Sequence, residues 1–391
     1  MIKKGVTITK ILTNVFVLSF GVFFVGRMIA LENKDAINSF LNAKTFQTVD
    51  ENGNVVKATY FDSDFQSVAE VKKNAKKVTK EVTDEGIVLL KNEDALPLKA
   101  KAKVNAYSIS SVSPVYSGTG SSGSSASTAI DFKTALSSHF TINEGLFDAY
   151  DSLLASGKYG RGASSGIGAS FSIHEPTWSL LPEAKNDQAE AGIFFLARNG
   201  GEGNDLDRTS GDKSDLKNGN YLILSDAERD VLTNMKALKD QGKLSKIIVF
   251  MNSANPVQVD FLEEYGVDAL LWSSTLGETG AQSFADILAG EVNPSGKTVD
   301  TFFKRNDLNP VYSNFGDYTY QGKKVSDLLM SNKYVVYQEG IYNGYRYTET
   351  RYEDKIFNRG NPGDFNYQDL VAYPFGYGLS YSEFAYSDFR V

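Results

Sequence analysis

The sequence predicts an α/β fold, a mostly parallel sheet with helices on both faces (an α/β sandwich), preceded by an N-terminal transmembrane helix. Three observations carry this reading. Short apolar runs alternate with helix-like patterns from Val104 to Leu288, the layout of linked βαβ units. One of those runs, Ala191 to Ala197, carries no polar side chain, as expected of a parallel strand buried on both faces. Near the start, residues 11–31 form a mostly apolar segment of 21 residues, enough to cross a bilayer.

The N-terminal segment sets the topology. Lys3, Lys4 and Lys10 precede it, and Arg27 near its end can snorkel to the outer interface. The positive-inside rule then puts residues 1–10 in the cytoplasm and the bulk of the chain outside, as a single-pass protein of the cell membrane. A cleaved signal peptide is the alternative, but a cut after Ala30 would place Met28, not a small residue, at the minus-three position. Residues 32–64 read as a spacer, with Asp50-Glu-Asn-Gly-Asn54 as a turn between two short extended pieces. From Phe65 to Glu85, Val68, Val71, Ala75, Val78 and Val82 recur at three and four, an amphipathic helix whose lysines form a solvated face.

The α/β domain occupies residues 65–305. Its strands are expected at 104–109, 140–142, 191–197, 246–251 and 269–272. Its helices are expected near 129–137, 146–154, 226–238, 259–265 and 279–288, with Ser225 and Glu228 as a capping box for the helix at 226. Residues 306–380 form an aromatic-rich extension in which the tyrosines cover apolar surface while keeping their hydroxyls wet.

Composition narrows the function. The chain has 391 residues, 41% hydrophobic and 23% charged, with a net charge of −8. No stretch supplies the basic face that nucleic acid requires, so neutral, hydroxyl-rich substrates fit better. There is no cysteine, which excludes disulfides and thiolate metal sites, and His139 and His174 are too isolated for a zinc cluster. Neither a metal nor a cofactor is expected.

The candidate site lies where the 191–197 strand stops, in Arg198-Asn-Gly-Gly-Glu-Gly-Asn-Asp-Leu-Asp-Arg208. Sites in open α/β sheets form at the carboxyl ends of strands. Glycines 200, 201 and 203 strip the flanks of Glu202, so its carboxyl can meet a substrate at a loop tip. A solvated acidic loop closed by Arg–Asp pairs is the plain structural reading. Glu339, also followed by glycine, is a rival carboxylate without a preceding apolar strand. Gly118-Thr-Gly120-Ser-Ser-Gly123 has dinucleotide-binding spacing, but it sits too far from both the strand before it and the helix after it to form the tight phosphate turn.

Five ordered segments resemble glycoside hydrolase family 3, β-glucosidase-like enzymes. They are Glu85-Gly-Ile-Val-Leu-Leu-Lys-Asn92 with Leu96-Pro-Leu98, the Arg198 to Asp205 loop, Asn293-Pro-Ser-Gly-Lys297, Glu339-Gly-Ile-Tyr-Asn-Gly-Tyr-Arg-Tyr347, and Phe375-Gly-Tyr-Gly-Leu-Ser-Tyr381. The resemblance covers about residues 65–391 and concerns the non-barrel domain of that family. It implies a retaining, exo-acting glycosidase in which Glu202 is the acid/base and Arg198, Asp205, Gly118 and Gly120 meet a β-glucoside or related oligosaccharide. The nucleophile would sit on a (β/α)8 barrel that this sequence does not contain. It further implies the permuted domain order of some members, broken off before the barrel, with residues 381–391 as the first strand of a fibronectin type III-like sandwich. A non-catalytic cell-surface carbohydrate-binding or scaffold module is the alternative.

Overall fold

The computed structural model describes residues 2–41, 48–56, 63–120, 123, 126–163, 171–201, 206, 220–314, 318–322, 333–360, 363–388 and 390. The chain divides into two units, Met1–Val71 and Lys72–Val391.

In the first unit, helix α1 (Ile2–Glu32) contains a segment, Thr9–Glu32, long and apolar enough to cross a membrane, a property that an N-terminal signal sequence shares. Helix α2 (Lys34–Phe40) follows, and then a two-stranded ribbon, β1 (Thr48–Val49) and β2 (Val55–Val56). The ribbon's turn is held by Asp50, whose Oδ1 accepts from the Asn52 and Asn54 amides at 2.9 Å each. That is the turn expected from the run of Asp, Asn and Gly.

The second unit is built on a six-stranded sheet. Its strands are β3 (Val88–Asn92), β4 (Lys103–Tyr107), β5 (Thr141–Ile142), β8 (Ala189–Arg198), β9 (Leu244–Ser253) and β10 (Ala269–Ser273), in the order β3-β10-β9-β8-β4-β5. Strands β5, β4, β8, β9 and β10 run parallel, and β3 is antiparallel at one edge. A hairpin of β6 (Gly160–Ala163) and β7 (Phe171–His174) is inserted before β8.

Both faces of the sheet are covered, which is why β8 and β9 read as continuous apolar runs. Phe194, Leu196, Val249 and Met251 face a core shared with α5 (Glu144–Ala155), α6 (Asp226–Asp240) and α7 (Phe261–Glu264). Ile193, Phe195, Ile248 and Phe250 face the other, shared with α4 (Phe132–Ser137) and α8 (Gly280–Ala289). On that second side Phe132, Phe195, Phe250 and Phe284 form a closed aromatic box with ring centroids 4.1 to 6.2 Å apart, clamping α4 and α8 to the two central strands. Such pairs add about 0.5–1.5 kcal/mol each beyond area burial.

Helix α3 (Val68–Gly86) forms where the periodicity places it, but its packing is the reverse of the expectation. The docked face is polar: Lys80 Nζ lies 2.7 Å from Asp286 Oδ2, and Thr83 Oγ1 2.7 Å from Ser283 Oγ. The valines at 68, 71, 78 and 82 are exposed. Periodicity marks an apolar stripe; it does not say which side meets the domain.

Three of the resembling segments, distant in sequence, meet beside β3. A Cβ on Gly296 would stand 2.5 Å from the Ile87 carbonyl oxygen, and one on Gly378 would collide with that of Gly296. Lys297 Nζ donates to Gly378 O at 2.6 Å, Leu379 N to Leu89 O at 2.8 Å, and Tyr381 N to Asn293 Oδ1 at 2.8 Å. These glycines let three backbones touch, so the motifs form a structural clasp on the sheet edge. Beyond it, residues 383–388 have no regular structure, with Phe384 and Tyr386 exposed. The strand expected over 381–391 is not formed among the described residues.

The remaining elements are β11 (Phe302–Phe303), β12 (Tyr318–Thr319), β13 (Lys333–Tyr334), α9 (Tyr345–Phe357), α10 (Tyr367–Leu370) and β14 (Val371–Tyr373), with β11–β14 and β12–β13 paired. Their aromatics stack on each other, as in Tyr345 on Phe375 at 4.3 Å and Tyr320 against Tyr334 at 4.7 Å.

Candidate functional site

At the carboxyl ends of the parallel strands three loops meet. The loop after β4 runs along the one after β8: Thr119 N donates to Gly200 O at 3.4 Å, and a Cβ on Gly201 would collide with the Thr119 side chain. Gly200 is equally close to the loop after β9, where its Cβ would stand 3.1 Å from that of Ala254. The β4 loop is tied in turn to the ends of β9 and β10. Asn252 Oδ1 accepts from Val115 N at 2.7 Å, its Nδ2 donates to Ser274 O at 2.7 Å, and Leu276 N donates to Val115 O at 3.1 Å. The two glycine-bearing loops singled out in the sequence, one with Gly118 and Gly120 and the other leading to Glu202, are thus in contact. Glu202, Asp205, Asp207 and Arg208 themselves lie outside the described residues.

The base of the Glu202 loop is fastened by Arg198. Expected at the sugar, this side chain turns inwards. Nε donates to Tyr221 O at 2.7 Å, Nη1 to Ala197 O at 3.0 Å and Glu228 Oε1 at 2.8 Å, and Nη2 to Ile223 O at 2.7 Å and Glu228 Oε2 at 2.7 Å. Those five bonds engage its five N–H donors. Arg198 and Glu228 side chains are 1% and 0% exposed. Glu228 also completes the capping box, accepting from Ser225 N at 2.7 Å while its own amide donates to Ser225 Oγ at 3.2 Å. The Tyr221 hydroxyl accepts from Asn199 N at 2.8 Å. The departing and returning ends of the loop are therefore joined, and both are joined to the start of α6.

The hairpin β6–β7, which the sequence reading missed, walls this corner. Phe171 and Ile173 form a buried cluster with Tyr221, against which Leu206 and Leu222 pack. Arg161 pairs with Ile173 across the hairpin, and its Nη1 donates to Ser110 Oγ at 2.9 Å, in the turn after β4. Burial pulls the Arg161 guanidinium down to about 10, with Arg198 adding repulsion. Burial also pushes the Tyr116 hydroxyl up to about 12, helped by Asp131 and opposed by Arg161. Glu175, just past β7, is buried; it accepts from Ser108 Oγ at 2.9 Å and Ile109 N at 3.1 Å, which fixes the turn after β4. The only signal of the hairpin in sequence is a weak alternation between glycines.

Glu339 is elsewhere, half-buried in the aromatic extension, where Asn314 Nδ2 donates to Oε1 at 3.2 Å. It borders a cavity of about 320 Å³ with Tyr342, Tyr347 and Arg351. The glycines of 118–123 do not open an α-helix: β4 ends at Tyr107, a single 3-10 turn lies at Ala126–Thr128, and α4 begins at Phe132 behind its own cap, Asp131. His139 serves packing, with Nε2 2.7 Å from Asp286 Oδ1, and His174 is exposed on the hairpin. Among the described residues no group of three or more histidines, aspartates or glutamates could hold a metal ion.

A doubly covered, mostly parallel sheet with glycine-rich loops converging at its carboxyl edge defines an α/β domain whose candidate site lies at the strand ends. Residues 87–345 match the glycosyl hydrolase family 3 C-terminal domain, and the chain belongs to that family. It is 29% identical over 310 residues to a β-glucosidase of Ruminococcus albus, covering 78% of this chain and 28% of that protein. It is 28% identical over 319 residues to thermostable β-glucosidase B of Acetivibrio thermocellus, covering 81% of this chain and 34% of that one. Among solved structures, β-glucosidase 3B from Thermotoga neapolitana in complex with glucose superposes with a TM-score of 0.60 at 29% identity, over 82% of this chain and 40% of that one. The chain thus spans well under half the length of these relatives.

Proposed function

We propose that this domain supplies the acid/base half of a retaining β-glucosidase-like site, with Glu202 as the catalytic carboxyl. The observation that carries the reading is the contact of Thr119 with Gly200 and Gly201, which brings the two glycine-bearing loops together directly before Glu202. Asp205 and the backbone at Gly118 and Gly120 would meet the sugar. Arg198, spent inside, positions the loop. β-Glucosides are the substrate class, by the names and the glucose complex of the relatives.

Retaining hydrolysis needs a second carboxylate about 5–5.5 Å from the first, which attacks the anomeric carbon while the acid protonates the leaving oxygen. In the second step the first carboxylate withdraws a proton from water, which opens the glycosyl-enzyme. The nucleophile would come from a barrel domain outside this sequence, in the permuted order with the barrel last. The α1 segment would anchor the domain in the cell membrane with its bulk outside. The test is hydrolysis of an aryl β-glucoside by the chain alone and by the chain joined to a family 3 barrel. Turnover only when joined is expected. Turnover by the chain alone on the order of 1 per second would place both carboxylates within it.

A further inference from the structure

We infer that Arg161, carried by the β6–β7 hairpin, is a substrate-contacting residue of this site, donating to sugar hydroxyl oxygens; the inference rests on the glycosidase reading above.

The hairpin's position comes first. Residues paired directly across an antiparallel ladder project to the same side, as do residues two apart on one strand. Arg161 pairs with Ile173, and Phe171 lies two residues from Ile173, so these three share a face. That face meets Tyr221, whose hydroxyl holds Asn199, and Leu206 from within the catalytic loop. Arg161 therefore projects towards the closed base of that loop, and its hydrogen bond to Ser110 fixes it over the end of β4.

Its chemistry comes second. A guanidinium has five N–H donors and is the group best suited to binding planar or paired oxygens. Arg198 and Arg161 are near neighbours with opposite fates. Arg198 has every donor engaged and a carboxylate at 2.7 Å. Among the described residues Arg161 makes one hydrogen bond, to a serine hydroxyl, and its buried Nε has no partner. Among the described residues the buried side-chain polar atoms without a partner include Arg161 Nε, Ser111 Oγ, next to the serine that Arg161 holds, and Thr119 Oγ1, on the same β4 loop where it meets Gly201. A buried polar atom left without a partner is costly, so such atoms on the hairpin and on the loop after β4 mark places fitted for polar groups from outside the chain. A sugar, which offers both donors and acceptors on every ring, matches hydroxyls and a guanidinium together.

The experiment uses the full chain in detergent, labelled with ¹⁵N-arginine and ¹⁵N-glycine and titrated with cellobiose. The Arg161 Nε–H signal is identified by its loss in Arg161→Lys, and the Gly200 and Gly201 amides report on the catalytic loop. The Arg161 signal should move and saturate with the same midpoint as the two glycines. Movement of the glycines with a stationary Arg161 overturns the inference and leaves the site reading standing. Movement of Arg161 alone separates the hairpin from the loop and overturns both, as does the absence of any movement.

Discussion

Replacing Arg198 with methionine should destabilise the domain more than any substitution at its surface. The change deletes five hydrogen bonds at once. It leaves the Glu228 carboxylate, 0% exposed, with only the Ser225 amide as a described donor, and leaves the carbonyls of Ala197, Tyr221 and Ile223 facing a thioether. Removing one partner of a buried pair costs about 3–5 kcal/mol, because the remaining charge stays out of water unpaired. In a domain of this size 1 kcal/mol moves the midpoint by roughly 2–4 °C, so melting should fall by about 6–20 °C. The assay is thermal and denaturant unfolding of the detergent-solubilised chain, followed by the fluorescence of Trp178 and Trp272. Arg198→Met/Glu228→Leu removes both charges together and should lose clearly less than the sum of the single changes. A cost below about 1 kcal/mol for Arg198→Met, or strict additivity in the pair, would show that the two side chains do not fasten the loop.

Three further outcomes follow from other contacts. Burial alone would raise the Asp286 carboxyl, but hydrogen bonds from Lys80, His139 and Gln282 outweigh it and hold the group below the usual carboxylate range. A depressed carboxylate contributes stability that is present above its unfolded value, near 4, and is lost as pH falls through the folded one. Asp286→Asn should therefore cost stability at neutral pH and progressively less in acid; a pH-independent cost in unfolding curves would refute this. Gly201→Ala should weaken cellobiose binding at least tenfold, because its Cβ would collide with the Thr119 hydroxyl and stand 3.0 Å from Thr119 N, and Thr119→Gly in the same chain should restore part of it. Unchanged affinity in Gly201→Ala would mean that the two loops need not touch. Protease added to intact cells should digest the chain beyond Leu31, and the protein should stay with membranes after a salt wash; recovery in the soluble cytoplasm would remove the anchor.

Much of the fold was legible because parallel strands buried on two faces leave unbroken apolar runs: 191–197 and 246–251 fall within β8 and β9. Ser225 and Glu228 announced α6, and the structure forms both halves of the box. Partnership was not legible. Nothing local shows that Glu228, three residues into a helix, also neutralises an arginine thirty residues earlier, or that Arg198 turns into the interior. The β6–β7 hairpin is too short to carry a period, so nothing local marks Arg161. The clasp motifs were visible as a resemblance, but only the close approach of three backbones explains why Gly296 and Gly378 are glycine.

The central claim, that Glu202 is the acid/base, is tested most directly in the chain joined to a family 3 barrel. In Glu202→Ala, a glucoside with a good leaving group should still form the glycosyl-enzyme, and added azide should restore its turnover, since azide needs no general base. Substrates that require protonation of the leaving group should lose roughly 10²–10⁴ in rate. Unaltered rates on both substrate types in Glu202→Ala, with this pattern appearing in Glu339→Ala instead, would contradict the account.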